Sequence, residues 1–472
     1  MVSKNFRTCD LEQVFLLPPS LQDWLPENHL ARFVAEVVNG LDLSKIYGYY
    51  GRRDGRGKAA YHPVMMVRLL LYGYCVGVMS SRRIEWATHD DVAFRYLAAD
   101  QHPDHDTIAS FRQQHLAVLA QLFTQILQLS SKAGLVKLGH VAVDGTKIQA
   151  NASKHKAMSY GRMEEKEKQL KEEVERLLAE AAEIDAAEDA LNGKGQRGDD
   201  LQGELSRRES RLKKIAEAKA ALEQEARERA EVARQAAEEK IEERRKKEEA
   251  SGKKCGGRPP QVPDPEQAKP EPTAQRNFTD PESRIMPDGG RKGSFVQGYN
   301  AQIAVDSAAQ IIVVAEITQE INDKRQLAPM LAQVEQNLGS KPEAATADTG
   351  YFSEAQVNDE RISGIDLYIA TGKQKHGEQE TVEAIPPGDD PAVSASALEK
   401  MKQKLKTEKG RALYKMRKAV VEPVFGQIKA ARGIRAFLLR GLEKVQSEWK
   451  LICATHNLLK MFRAATRPLQ PA

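Results

Sequence analysis

The stretch from about residue 158 to 250 constrains this chain more than any other. It is rich in Glu, Lys, Arg and Ala. Met163, Leu170, Val174, Leu177, Ala181 and Ile184 fall on a heptad grid in which Glu167 is the one polar member. Leu205, Leu212, Ile215 and Leu222 continue such a grid, with Arg208 and Lys219 as imperfections. A seven-residue apolar repeat puts one seam on each helix and asks for a partner helix along it. Between the two runs, Asn192-Gly-Lys-Gly-Gln-Arg-Gly198 breaks helices. The pattern predicts an antiparallel coiled-coil hairpin over 158–250, its first arm about 45 Å long at 1.5 Å per residue. Residues 251–275 carry Gly256, Gly257, Pro259, Pro260, Pro263, Pro265, Pro270 and Pro272, the composition of a linker. Whatever globular body the chain forms is therefore built from what flanks this insertion.

Upstream, residues 1–134 read as a helical domain. Leu30, Phe33, Val34, Val37 and Val38 fit one helix face, and His62-Pro63 opens a second helix through Leu71. A further helix is predicted from Ile84 to Tyr96, and another behind an Asp106 cap, through Ile108, Phe111 and Leu119. Exposed arginines on several short helices suit either a DNA-binding module or a generic all-α domain. Strand signals appear at 135–146, 298–306, 311–317, 344–348 and 365–370. Asn322 or Asp323 is expected to cap the helix through Leu327, and Ser353 the helix after Gly350. The fold class expected is α/β: a mixed five-stranded sheet with helices, assembled from 135–157 and 276–465, with a short tail at 466–472.

At roughly 150 residues per domain, 472 residues allow about three domains. The most apolar stretch, 63–79, is interrupted by Arg68 and is too short to span a bilayer. No secretory leader is evident, so a cytoplasmic location is expected. Cys9, Cys75, Cys255 and Cys453 lie far apart, which argues against a disulfide scaffold and against a zinc finger. The net charge of +4 says little, but from Lys400 onward basic residues outnumber acidic ones several-fold. That imbalance points to a polyanion partner.

Three acids stand out. Asp144 follows Val141-Ala142-Val143, and Asp348 follows Ala345-Thr346-Ala347. An acid at the C-terminal end of a buried strand is well placed for a ligand. If the two strands are neighbours, the carboxylates repel, and a divalent cation removes the conflict. Oxygen donors without nearby His or Cys favour Mg²⁺ or Mn²⁺ over zinc. Glu422, set in Val420-Val421-Glu422-Pro423-Val424-Phe425, is the best third ligand, since a charge in an apolar frame needs a partner. Each also has a plainer reading. Asp144-Gly145 is a common turn pair, Asp348 can cap a turn, and Glu422 can pair with Arg417 or Lys429 along one helix. Asp306, Asp280 and Asp366 are read as turn or edge residues. His102, Asp104, His105 and Asp106 fit a loop and cap better than a metal site.

With these residues in view, the sequence resembles the DDE transposases of bacterial insertion sequences over nearly its whole length. The resemblance rests first on Tyr61-His62-Pro63, on Ser80-Ser81-Arg82-Arg83-Ile84-Glu85 and on Pro103 to Arg112. It continues in Val143-Asp144-Gly145-Thr146-Lys147, Thr279 to Arg284, Gly298-Tyr299-Asn300-Ala301-Gln302 and Ala347 to Phe352. Its most specific part is Tyr414, Arg417, Glu422 and Lys429, followed by His456-Asn457-Leu458-Leu459-Lys460. The resemblance implies a ribonuclease-H-like core with Asp144, Asp348 and Glu422 as its acids, holding two Mg²⁺ or Mn²⁺ ions. It implies cleavage at transposon ends and strand transfer to target DNA. Tyr414, Arg417 and Lys429 would touch the DNA backbone, and the N-terminal helices would bind terminal inverted repeats through Arg82, Arg83 and Arg112. A homo-oligomer on double-stranded DNA is implied as well. Thr349 stands where relatives often have Ala. Two other functions share the same residues: a DNA-binding protein derived from a transposase, and a nuclease that cuts without joining.

Overall fold

The computed structural model describes residues 20–51, 59–192, 199–251, 256–258, 260–288, 293–372 and 396–466, without the side chains of 180–192, 199–205 and 251. The expected break at 193–198, Cys9, Cys255, the Pro386–Pro391 loop and the tail beyond 466 lie outside the described residues. Seven helices come first: α1 (Leu30–Asn39), α2 (Ser44–Tyr50), α3 (Pro63–Val76), α4 (Ser81–Asp90), α5 (Val92–Leu97), α6 (His105–Gln114) and α7 (Leu116–Lys132). Then follow β1 (His140–Gln149), β2 (Ala157–Ser159), α8 (Tyr160–Asn192), α9 (Asp199–Ser251), β3 (Gln275–Asn277), β4 (Arg284–Pro287), β5 (Phe295–Asp306) and β6 (Ile311–Thr318). The rest is α10 (Leu327–Leu338), β7 (Ala344–Ala347), α11 (Glu354–Val357), β8 (Asp366–Ile369), α12 (Ala397–Lys406), α13 (Glu408–Gly426) and α14 (Leu442–Thr466). The architecture is mixed α/β with a helical N-terminal region.

The chain divides into two compact units. One holds Met1–Thr146, Asn300–Leu438 and Glu443–Ala472, and the other holds Lys147–Tyr299 and Leu439–Leu442. In the first unit, α3 is apolar on nearly every side and buried, as a core helix must be. Pro63 occupies its first turn, where the missing N–H costs nothing. Gly77 ends it at φ +79°, and a Cβ there would stand 2.4 Å from the Arg432 carbonyl oxygen. Among the described residues no single helix is long and apolar enough to cross a membrane.

Two helix starts differ from expectation. The run from Ile84 to Tyr96 is broken at Asp91, whose carboxylate accepts from the amides of Ala93 and Phe94 and so caps a new helix, α5. The cap of α6 is Asp104, which accepts from Thr107 N at 2.6 Å, and Asp106 stands in the first turn instead. The spacing of cap to third amide selects Asp104, because Pro103 fixes where the chain can begin to coil.

The sheet of the first unit runs β6-β5-β1-β7-β8. β5 and β6 are antiparallel, while β1 with β7 and β7 with β8 are parallel. Backbone bonds from Ser307 N to His140 O and from Ala150 N to Gln297 O flank the β1–β5 pair and mark it antiparallel. All five expected strands are present, but the sheet has six rather than five, because the long β5 also pairs through its first residues with β4. β6 is the outer strand, so one row of its backbone groups has no strand to bond. Side-chain amides take their place. Asn457 binds both N and O of Ile312 at 2.8 Å, Asn337 binds Val313 O at 2.8 Å, and Gln446 binds Ile317 N and Ala315 O. Asn457 and Gln446 of α14 are thus explained by backbone satisfaction.

In the second unit, β2 and β3 form a short antiparallel pair, and β4 pairs with the first residues of β5. These three strands carry too few residues for an alternating signal in the sequence. Tyr160, Met163 and Leu170 of α8 pack with Ile215, Ala218 and Leu222 of α9. Glu167 meets Lys219 at 3.1 Å, Arg208 meets Glu173 at 3.0 Å, and Tyr160 donates to Glu223 at 2.8 Å, so the two helices run in opposite directions where they touch. The polar member of one heptad run is therefore paired with an imperfection of the other.

Asp366 begins β8 and is bonded by Lys404 (2.5 Å), Lys409 (2.9 Å) and the Tyr368 hydroxyl (2.8 Å). Burial pushes its carboxyl up, but these three donors outweigh it and hold it at about 2. A lowered carboxyl contributes stability that is present above the ordinary value near 3.8 and lost as pH falls towards 2. Asp366→Asn should therefore lower the urea midpoint at pH 7, and the gap from wild type should close as pH is taken below about 4. A constant gap across that range would contradict the role given to the carboxylate.

Candidate active site

The parallel register of β1 and β7 pairs His140 with Ala344 and continues to Val143 with Ala347. Asp144 and Asp348 are the next residues along the two adjacent chains; Asp348 stands just past the end of β7, whereas β1 does not turn at Asp144-Gly145 but runs on to Gln149. The parallel pairing carries the two acids to matched positions; Asp348 closes its strand as expected, but Asp144 lies within β1, where a strand rather than the expected turn holds it. Asp348 also caps the following turn, accepting from Gly350 N at 2.6 Å. The cap and the site are thus one arrangement.

Asp144 is met by Arg417 from α13, Nη1 to Oδ2 at 2.9 Å, with side chains only 20% and 8% exposed. Burial raises the Asp144 carboxyl to about 6. Arg417 and the Gly145 amide pull it down, and Asp348 and Asp323 push it up again. The Arg417 guanidinium lies 5.6 Å from the centre of the Tyr414 ring, and the Tyr414 hydroxyl is raised by burial and by the charges of Asp348 and Asp144. Arg417 Nε is buried without a hydrogen-bond partner. Lys429 donates to Thr146 Oγ1. Tyr414, Arg417 and Lys429 are thus all drawn to β1 and its neighbours.

Glu422 is placed differently. It lies five residues beyond Arg417, roughly 140° round the helix axis at 3.6 residues per turn. It is exposed and forms no hydrogen bond or ion pair with either aspartate. Among the described residues, no three Asp, Glu, His or Cys side chains come together as a group that could hold a metal ion. Asp144 and Asp348 fit a hard divalent cation by donor type and by their mutual repulsion. The third donor is not assembled beside them. Pro423 does not end α13, which runs on to Gly426 and into a wider turn over Gln427–Ala431. The carbonyl that Pro423 leaves unbonded, Ala419 O, accepts instead from the Gln310 side chain at 3.0 Å. Gln310 is in turn held by Lys460 at 2.6 Å and by His456 at 3.0 Å.

Asp323 was not expected here. It does not cap α10, which starts at Leu327 behind Gln326. Its Oδ1 accepts from Asn300 (2.6 Å) and Gln302 (2.7 Å) on β5. Tyr351 donates to Gln302 Oε1. A buried Asn and Gln two residues apart in an otherwise apolar strand were the available signal. Of the three N-terminal arginines, Arg82 and Arg83 are exposed on α4. Arg112 is buried, donating to Met79 O and Ser81 Oγ, where it ties α6 to the start of α4.

Residues 19–114 match the family described as Transposase domain (DUF772), and residues 390–462 match the one described as Transposase DDE domain. The chain belongs with the DDE transposases. The first match contains Arg82, Arg83 and Arg112. The second contains Tyr414, Arg417, Glu422, Lys429 and the 456–460 run, while Asp144 and Asp348 lie between the two. No curated protein and no solved structure matches this transposase chain.

Gly145 separates Asp144 from Thr146, and a Cβ there would meet Gln302 Nε2 at 2.3 Å and Asn300 Oδ1 at 3.1 Å. Gly145→Ala should displace the amide pair and cost about 1–3 kcal/mol of stability, as overpacking does. Urea denaturation checks this. An unchanged midpoint would mean the close approach is not real.

Proposed function

We propose that this transposase cuts DNA at the ends of its insertion sequence and transfers the freed strand to target DNA, with Asp144, Asp348 and Glu422 as its acids. The observation that carries the reading is the placing of Asp144 and Asp348 at matched positions along the paired, parallel β1 and β7 in a chain that carries a transposase DDE domain. Asp144 and Asp348 would hold divalent Mg²⁺ or Mn²⁺, two ions per site in the full arrangement. Bound there, such ions supply activation of a nucleophile and stabilisation of a leaving oxygen at phosphorus. Glu422 lies on α13 between Arg417 and Lys429 in sequence, and its participation requires that helix to present a face other than the one that holds Arg417 to Asp144.

We read the sheet as ribonuclease-H-like. Its support is the strand order, three antiparallel strands followed by two parallel ones on the β1 side. We read α8 and α9 as the coiled-coil hairpin inserted into that core at 158–250, with 251–275 as its return, and 1–134 as the region that binds terminal inverted repeats. Support for the hairpin comes from the opposed pairing of Glu167 with Lys219 and of Glu173 with Arg208. Arg82 and Arg83 are the exposed candidates for DNA. Arg112, spent on backbone and hydroxyl partners, is better read as holding them in place. Tyr414, Arg417 and Lys429 would reach the DNA backbone beside the acids. A homo-oligomer assembled on DNA, in the cytoplasm, completes the reading.

The test is a metal-dependent assay on labelled DNA bearing the inverted repeats that flank the coding region. Asp348→Asn should abolish cleavage and leave DNA binding intact. If the variant cleaves as wild type does, the assignment of Asp348 is wrong. If wild type yields cut but never joined products, the chain is a nuclease of similar fold.

A further inference from the structure

Asp323 is a charged residue that the three-acid reading leaves without a task. It precedes α10 without capping it. Instead one carboxylate oxygen receives two amide donors, Asn300 Nδ2 and Gln302 Nε2, from alternate residues of β5. Asn300 also donates to Glu320 O at 3.1 Å, and Gln302 Nε2 to Asn300 Oδ1 at 2.9 Å, so the two amides are locked to each other as well as to the acid. Tyr351 fixes the other end of the Gln302 amide.

This network touches the site at two glycines. The Gln302 amide lies where a Cβ on Gly145 would be, next to Asp144. On the other side, Asp323 Oδ2 and Asp348 Oδ1 lie 3.5 and 3.6 Å from the point where a Cβ on Gly350 would sit. The two carboxylates are therefore no more than twice that distance apart, with only a glycine between them. One carboxylate thus braces the backbone beside Asp144 through Gln302 and faces Asp348 across Gly350.

We propose that Asp323, gripped by Asn300 and Gln302, is a positioning residue for the acid pair Asp144 and Asp348, setting how tightly that pair takes a divalent cation. The proposal rests on the reading of Asp144 and Asp348 given above. Groups that orient metal ligands in this way commonly alter metal affinity by about 10–100-fold when changed.

The experiment uses the full chain and Mn²⁺ as the probe. Two quantities are measured: the Mn²⁺ concentration at half-maximal rise of the melting temperature, and that at half-maximal cleavage of end DNA. Asp323→Asn should raise both by at least about tenfold. Asn300→Ala, which keeps every charge but frees one grip on Asp323, should raise both by a smaller factor. A merely structural role would lower the melting temperature without metal and leave both half-points where they are. The proposal is overturned if each of the two variants that folds responds to Mn²⁺ as wild type does while Asp348→Asn has lost cleavage. Should Asp348→Asn cleave normally, the underlying reading of the acids fails, and this proposal with it.

Discussion

The buried ion pair between Asp144 and Arg417 is the contact on which the rest of the first unit depends. A carboxylate within a central strand cannot be left in an apolar interior without a counter-charge or a proton. Arginine is the residue that can meet it, because its guanidinium stays charged and offers several donors in one plane. The pair joins β1 to α13 across most of the chain, with the Lys147–Tyr299 part of the second unit lying between them in sequence. Such a pair adds little net stability compared with an apolar contact, but losing one partner is costly. It therefore fixes which helix covers this end of the sheet more than how strongly the helix is held there.

Once α13 is held at β1, its proline has to be accommodated. Pro423 removes one helical donor, and Ala419 O turns to Gln310 in the β5–β6 turn. Gln310 adopts a left-handed backbone, and Lys460 and His456 grip it from α14. Asn457, between those two, seals the start of β6. The polar run in an otherwise buried helix is one solution to two backbone problems, a proline inside a helix and an outer strand edge. Neither bears directly on chemistry, yet both fix the position of the helix that carries Tyr414, Arg417 and Glu422.

The strands were legible because each is a short apolar run closed by Gly, Asp or a polar turn, and the acids at two of them were legible for the same reason. The heptad runs were legible from spacing alone. What escaped was whatever depended on partners far away in sequence. Asp323 looked like a cap because it stands just before a helix, and only the fold brings the β5 amides to it. Arg112 looked like a surface cation because a lone arginine in a helix usually is one, but the carbonyl of Met79 and the hydroxyl of Ser81 are waiting for it. Asp91 and Asp104 were missed as caps because each has a second acid next to it or two residues on, and composition cannot say which of the two turns the chain. β2, β3 and β4 are too short to show a period.

The electrostatics of the site follow from counting charges. Three aspartates, Asp144, Asp348 and Asp323, act on one another, since both of the others raise the Asp144 carboxyl. Arg417 brings a single positive charge, fixed on a side chain that cannot lose its proton. Even with that charge at 2.9 Å, the Asp144 carboxyl remains at about 6, so the arginine offsets only part of the cost of burial and repulsion. Glu422 stands exposed on α13, whereas Asp144 and Asp348 are held by adjacent paired strands.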